Sequence, residues 1–478
     1  MSPVAFILVV PLFAAGMLLF FPFHRVAARL NATASTATFV VALVLFLARP
    51  PATAFFFVDD FNVYLVALTS FVACTASWFS ASYIAHEVET EHLASKSLRF
   101  YHSMYQLLTF TMLLALVANN VGLMWVAVEA ATLTTVVMVS IYRTRESIEA
   151  AWKYFILGSV GIALALFGTI LIYLAAKPAI GDGIDALAWT NLRASAAQFD
   201  AGILNLAFVF LLVGYGTKVG LAPLHAWLPD AHAEGPTPIS AVLSGLLLNV
   251  ALYAVLRFKM ILAGNEAALA PGPLMLAMGT ASLLLAGLML YRRRDIKRFF
   301  AYSSIEHMGI ITFAFGVGGP LANFAGLLHM ALHSLTKSAI FFAVGHIAQV
   351  KGSQKFADVG GLTTTHPWLG WGFVAGVVAI AGLPPLGLFM SEFLVITAAM
   401  ARQPWLALPL VAGLAIGFAA LLMRLHEVAF GPPRGSSVPV NASLAPMYLH
   451  LAIVLVAGIF LPAPLVAWFQ SVAALLGG

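Results

Sequence analysis

Residues 152–176, WKYFILGSVGIALALFGTILIYLAA, carry a single charge, Lys153, at the very start of the run. The hydrocarbon core of a bilayer is crossed by about 20 apolar residues of helix, so this stretch predicts a membrane span. Comparable runs lie on both sides of it, at 3–23, 33–48, 60–84, 104–118, 120–141, 202–222, 238–260, 271–291, 299–317, 322–349, 368–400, 404–426 and 446–472. Fourteen spans of roughly 20 residues would occupy about 280 residues, or about 59% of the chain. The hydrophobic fraction of the 478 residues is 62%, and only 9% are charged. A soluble domain has about 25% charged residues. A soluble enzyme, a secreted disulfide scaffold and a disordered protein are therefore excluded, and the fold class is an all-α polytopic membrane protein.

The segment before Arg25 and Arg29 lacks the basic start of a signal peptide, and it is expected to remain as a first helix with its N-terminus outside. Counting loops from there puts sixteen Lys and Arg on one side of the membrane and six on the other. By the positive-inside rule the first side is cytoplasmic, with both termini on the outer face. Two spans are expected to be broken. The seventh contains Gly214, Gly216, Gly220 and Pro223, and the twelfth contains Gly382, Pro384, Pro385 and Gly387. Proline frees a backbone carbonyl, which is tolerated at membrane depth only where the break lines a cavity. Paired breaks point to inverted repeats. The expected organisation is helices 1–3 in residues 1–103, a first repeat of helices 4–8 in 104–260, a second inverted repeat of helices 9–13 in 261–430, and helix 14 in 431–478.

With the charges at the run ends counted among the loops, Arg257 and Lys259 on the outer side and Lys153, Lys297 and Arg424 on the inner, two cations, Lys218 and Lys337, and three acids, Glu129, Glu306 and Glu392, fall inside the spans. Each costs roughly 2.5–3.5 kcal/mol at the bilayer centre, so they must pair or line hydrated cavities. Two readings stay open: ion pairs that hold the bundle together, or a proton relay. The presence of both signs on several helices, accompanied by histidines, favours the relay. In the eleventh span His329, His333 and Lys337 stand at i, i+4 and i+8, on one helix face, a spacing suited to proton hopping through imidazole. Two His at i and i+4 could instead share zinc, but Met330 stands where a metalloprotease would carry its glutamate, and no metal is expected. Glu306 and His307 are adjacent and point about 100° apart. His225, Asp230, His232 and Glu234 are read as polar cytoplasmic loop residues, with proton entry as an accessory role. Cys74 is the only cysteine, which excludes an iron–sulfur cluster held by this chain alone. Neither dinucleotide nor nucleoside-triphosphate loop motifs occur.

The stretches TKVGLAPLHAWLPDAHAEGPTPISAVLSGLL (217–247), RDIKRFFAYSSIEHMG (294–309), HSLTKSAIFFAVG (333–345) and GLPPLGLFMSEF (382–393) together resemble the antiporter-like membrane subunits. Respiratory complex I, Mrp-type cation/proton antiporters and membrane-bound nickel–iron hydrogenases share that family. Within it, SSIEHMG and LLLNVALYAVLRF (246–258) look most like the F-type subunits of hydrogenase 4. The resemblance implies that Glu129 and Lys218 form the Glu–Lys pair of the first half-channel. By the same resemblance Lys337 is the central relay residue beside His329 and His333, and Glu392 is the terminal group. It also marks a departure: the eighth helix often carries Lys or His in complex I relatives, where Asn249 stands here and cannot titrate. No long lateral helix of the L-type subunit is expected after helix fourteen.

The expected function is that of a proton-translocating subunit of a redox-driven complex in a cytoplasmic membrane. It would have no cofactor of its own, with nickel–iron or iron–sulfur centres in partner subunits, and no nucleic acid among its partners. The alternatives are a subunit of a cation/proton antiporter, or of a gradient-driven inorganic-carbon uptake complex, and a scaffold that has lost transport.

Overall fold

In the computed structural model every apolar run folds as helix, because in lipid a backbone must satisfy its own N–H and C=O groups. The structure describes residues 2–21, 24–94, 97–440 and 442–477. Residues 22–23, at the end of the first run, and the loop residue Lys96 lie outside them. The helices are α1 (Pro3–Leu18), α2 (His24–Val44), α3 (Asp60–Glu89), α4 (Ser97–Val117), α5 (Val121–Val139), α6 (Arg145–Ile180) and α7a (Ala201–Val219) with α7b (Trp227–Glu234). They continue with α8 (Thr237–Leu262), α9 (Gly272–Leu290), α10 (Ile296–Val317), α11 (Gly319–Lys351), and α12a (Pro367–Ile380) with α12b (Gly387–Arg402). Last come α13 (Pro404–Phe430) and α14a (Ala445–Ile459) with α14b (Ala463–Leu475). No strand occurs among the described residues, only isolated bridges such as Phe56 with Ala118.

Ten helices are long and apolar enough to cross a membrane, and eleven if the α14a–α14b pair, bent by 84°, is one span. The three remaining runs fall on α1, which is short, on α10, which carries Lys297, Arg298 and Glu306, and on the broken α12. Both expected breaks are present and share one local geometry. In each, a glycine at positive φ (Gly220 at 82°, Gly382 at 65°) ends the first half-helix, and a cis proline follows three residues later (Pro223, Pro385). Leu221 N donates to Gly216 O at 2.9 Å, and Leu383 N to Val378 O at 3.2 Å. These are the six-residue closures of a helix ended by a left-handed glycine. Leu224 N to Leu221 O and Leu386 N to Leu383 O complete the match.

Charge placement differs from the loop count. Arg257 and Lys259, assigned to an outer loop, lie inside α8, with Arg257 only 1% exposed. Arg257 forks onto Asp59 at 2.7 and 2.8 Å and is walled by the rings of Trp189, Phe57 and Tyr253. Desolvation is thus answered by a bidentate partner and cation–π contact. Asp59 in turn caps α3 through Asn62. Lys297, also assigned to a loop, is buried. Its Nζ donates to Ala233 O at 2.8 Å and Gly235 O at 2.6 Å, the carbonyls left open at the C-terminus of α7b.

Buried apolar side chains form one main core from Val4 to Leu476, with a smaller cluster around Leu283, Phe313 and Leu410. α11 runs through the middle: 94% of its apolar window is buried. Between lipid-embedded helices packing depends on small residues that let backbones approach, and α9 and α10 cross at Gly279 and Gly309. A Cβ on Gly309 would stand 2.7 Å from Gly279 O and 2.8 Å from Leu283 N, both backbone atoms that cannot yield. Gly309→Ala is expected to cost about 1–3 kcal/mol by overpacking, read as a lower Tm of the detergent-solubilised chain. An unchanged Tm would refute the close crossing.

Candidate functional site

The intramembrane charges gather in two clusters, with a polar seam beside the second. The first lies between α5, α6 and α7a. Lys218, 1% exposed, sits one turn before the α7 break, with Nζ 3.5 Å from Glu129 Oε2. The ammonium also donates to Thr132 Oγ1 at 2.5 Å and lies 5.7 Å from the centre of the Tyr154 ring. Tyr154 is fixed by stacking on Trp227 at 4.2 Å and by its hydroxyl contact with Thr135 at 2.8 Å. A Cβ on Gly158 would meet Lys218 Nζ at 2.6 Å, so that glycine makes the room for the ammonium. The sequence reading paired Glu129 with Lys218, and they do meet, but Thr132 and Tyr154 were not picked out. Thr132 stands at i+3 from Glu129, on the same helix face, which is the signal that could have found it.

The second cluster lies where α10, α11 and α12b meet. His307 Nδ1 and His329 Nε2 are 3.0 Å apart, and His329 Nδ1 is 3.0 Å from Ser391 Oγ. His333 stacks on His307, ring centres 5.6 Å apart, and neither of its ring nitrogens has a hydrogen-bond partner. Glu392 packs its carboxylate against Gly382 at the α12 break, and Glu306 against Gly417 of α13. Glu306, His307 and Glu392 line one cavity of about 230 Å³. Glu306 and His307 do serve different sides, the acid toward α13 and the imidazole toward α11. Ser391 was missed, although it directly precedes Glu392 in the second broken span.

The seam borders the second cluster, where α8, α10 and α11 meet. Lys337 Nζ donates to Phe300 O at 2.9 Å, so His329, His333 and Lys337 all face α10, as their spacing required. Ser304 donates to the same Phe300 carbonyl at 3.0 Å and lies 2.7 Å from Ser244 of α8. Asn249 donates to Ser334 Oγ at 2.8 Å and to Met330 O at 3.2 Å, which ties α8 to α11 where α8 opens into a π-turn at Leu243–Leu247. The expectation of a polar loop at 225–234 needs correction. His232 is fully buried in α7b, stacked on Phe341 at 5.1 Å with no hydrogen-bond partner for either nitrogen. His225 is 9% exposed and faces Tyr302. Only Asp230 and Glu234 keep a loop-like role, in ion pairs with Lys153 and Arg298. The burial follows from the break itself, which folds this segment back into the bundle.

Comparison with known proteins places this geometry. The family model described as NADH:quinone oxidoreductase/Mrp antiporter, TM, matches residues 118–417. The chain is 61% identical over 453 residues to the hydrogenase-4 component F homolog of Methylacidiphilum infernorum, covering 95% of each. It is 27% identical to NADH-quinone oxidoreductase subunit N of Desulforudis audaxviator, over 89% of this chain and 85% of that one. Its fold matches a chain of the archaeal membrane-bound sulfane sulfur reductase with a TM-score of 0.87 at 21% identity, over 99% and 98% of the two chains.

Removing the Ser391 hydroxyl strands a buried His329 nitrogen, and an unpaired buried polar group costs about 1–3 kcal/mol. Ser391→Ala is therefore expected to lower the Tm in detergent, while Ser391→Thr keeps the hydroxyl and most of the stability. Equal Tm values for all three proteins would remove Ser391 from the site.

Proposed function

The chain belongs to the NADH:quinone oxidoreductase/Mrp antiporter transmembrane family, and from that membership we propose that it is the proton-translocating membrane subunit of a redox-driven complex, of hydrogenase-4 or NADH:quinone oxidoreductase type. The observation that carries the reading is the pair of clusters of buried titratable groups, one on α5 and α7a and one on α10, α11 and α12b, in an otherwise apolar bundle. A lone buried ion pair would hold helices together. A pair followed by hydroxyls, a lysine, three imidazoles and two carboxyls offers successive proton positions.

In this reading Glu129 is the input. At 3.5 Å from Lys218 its charge stabilises the ammonium, and a change in a neighbouring subunit that draws Glu129 away leaves Lys218 ready to release its proton. The proton passes along the seam to Lys337. From there it moves to His333 and the His307–His329 pair, and leaves by Glu392. Asn249 does not titrate, so the step past α8 runs through the Ser244 and Ser304 hydroxyls and water. His225 and His232, at the first break, serve entry. Residues 104–260 and 261–430 act as inverted halves, a reading supported by the twin geometry of their breaks. The membrane is the cytoplasmic one, with both termini on its outer face. With one cysteine in the chain, redox centres of nickel–iron or iron–sulfur type belong to partner subunits.

The family description also names Mrp antiporters, which supports a gradient-driven reading as the alternative. Mild-detergent copurification with mass spectrometry separates the two. Cysteine-rich peripheral partners support the redox-driven complex, and a set of membrane subunits alone would replace it with the antiporter reading. For the relay itself, Lys218→Met and Glu129→Gln are each expected to reduce proton translocation by the intact complex in vesicles to background, with assembly retained. Translocation at the wild-type rate in both would refute it. Gly158→Ala, which displaces the ammonium without removing it, is expected to fall between.

A further inference from the structure

At the outlet end of this set the donors converge as ligands would. His307, His329 and Glu392 each present one ligand atom, and these atoms lie within 4.8 Å of one another, all buried. They come from three different helices, so the grouping has no counterpart in the i, i+4 spacing of His329 and His333. We propose that this cluster is a binding site for one divalent transition-metal ion of the zinc type, held by His307, His329 and Glu392.

Three independent features support the site. Zinc takes imidazole nitrogen and carboxylate oxygen at about 2.0–2.2 Å in tetrahedral geometry, which sets neighbouring ligand atoms about 3.3 Å apart. His307 Nδ1 and His329 Nε2 already stand 3.0 Å apart, and with the Glu392 oxygen within 4.8 Å of both that carboxylate has to close by up to about 1.5 Å. A second carboxylate borders the site: Glu306 is 3% exposed, its Oε2 has no hydrogen-bond partner, and it lines the same 230 Å³ cavity as His307 and Glu392 while turned toward α13. Two carboxylates also cancel the charge of a divalent ion, which a low-dielectric site demands. Finally, His329 is oriented from behind. Ser391 donates its hydroxyl to Leu388 O at 2.9 Å, so its lone pair accepts from His329 Nδ1 at 3.0 Å. That leaves the Nε2 lone pair directed at His307, the outer-shell arrangement typical of metal-bound histidine. A bound ion takes the place of the proton shared by the two imidazoles.

The site stands on geometry alone, whether or not the same residues move protons. The test uses the full-length chain, purified in detergent with a tag free of histidine and titrated with Co²⁺ and then Zn²⁺. One equivalent of Co²⁺ is expected to give the visible bands of tetrahedral cobalt, which Zn²⁺ bleaches. Glu392→Gln and His329→Gln are expected to abolish the bands. Ser391→Ala, which removes only the outer contact, is expected to weaken binding by about 10–100-fold, and His86→Gln to leave it unchanged. Absence of tetrahedral cobalt in the wild type, or its persistence in both Glu392→Gln and His329→Gln, overturns the proposal. Either result leaves the proton reading standing, just as loss of translocation in Lys218→Met leaves the metal site standing.

Discussion

A charge inside a bilayer has no water to solvate it, and the arrangement of this bundle follows from that constraint. Four intramembrane cations are placed where another helix supplies what water would have supplied. Arg257 has the Asp59 carboxylate and a wall of aromatic rings. Lys297 has two carbonyls at the end of α7b, and Lys337 has the Phe300 carbonyl. Lys218 has Thr132 and, further off, Glu129. These differ in kind. A bidentate pair at 2.7–2.8 Å is a fixed structural contact, whereas a lysine held 3.5 Å from its acid can lose that partner by a small helix shift. The distinction separates cations that hold the bundle together from the one that suits a switch.

The broken helices meet the same constraint for the backbone. A proline in a span frees a carbonyl and removes a donor, and lipid offers no substitute. Both breaks answer with the same closure, a left-handed glycine that returns the next amide to the helix end. At the first break the Ser282 hydroxyl of α9 accepts from Ala222 N at 2.8 Å while donating to Met278 O at 2.7 Å. Each break sets a titratable residue beside it: Lys218 just before the first, Glu392 just after the second. The breaks thus serve as the places where side chains can be polar at depth, because the surrounding backbone is already polar there.

Much of this was legible in the sequence, for a physical reason. Length and apolarity set the spans, and glycine and proline mark breaks directly, so ten or eleven of the fourteen runs are helices fit to cross a membrane and both expected interruptions are present, while the 84° bend in the last run was not read. The pairing of Glu129 with Lys218 was reached through family resemblance, which carries three-dimensional information that spacing lacks. What failed was depth. Arg257, Lys259 and Lys297 were counted as loop cations because a charge near the end of an apolar run resembles an interface residue, and only the partner on another helix brings it inside. Segment 225–234 failed likewise: His232 looks like a loop residue until the α7 break folds it against Phe341. His307 meeting His329 joins residues 22 apart on separate helices, and no periodicity encodes that.

Asn249 shows why such cross-helix contacts decide the reading. In the sequence it is a gap, an amide where relatives often carry a titrating group. In the structure its amide nitrogen reaches Ser334 and Met330 of α11, while Ser334 donates to Gly245 O, which the π-turn in α8 leaves turned outward. Gly245 itself has no room for a side chain, since a Cβ would stand 2.6 Å from Ser338 Oγ. The α8–α11 contact is therefore closed by hydrogen bonds at closest approach, where a charged side chain would have to be accommodated and solvated. A neutral amide can donate there, its Oδ1 left without a hydrogen-bond partner, without the cost of burying an ion. A second polar contact from α8, Ser244 with Ser304 of α10, lies at 2.7 Å. The non-titrating residue fixes α11, and with it the register in which Lys337, His333 and His329 meet α10.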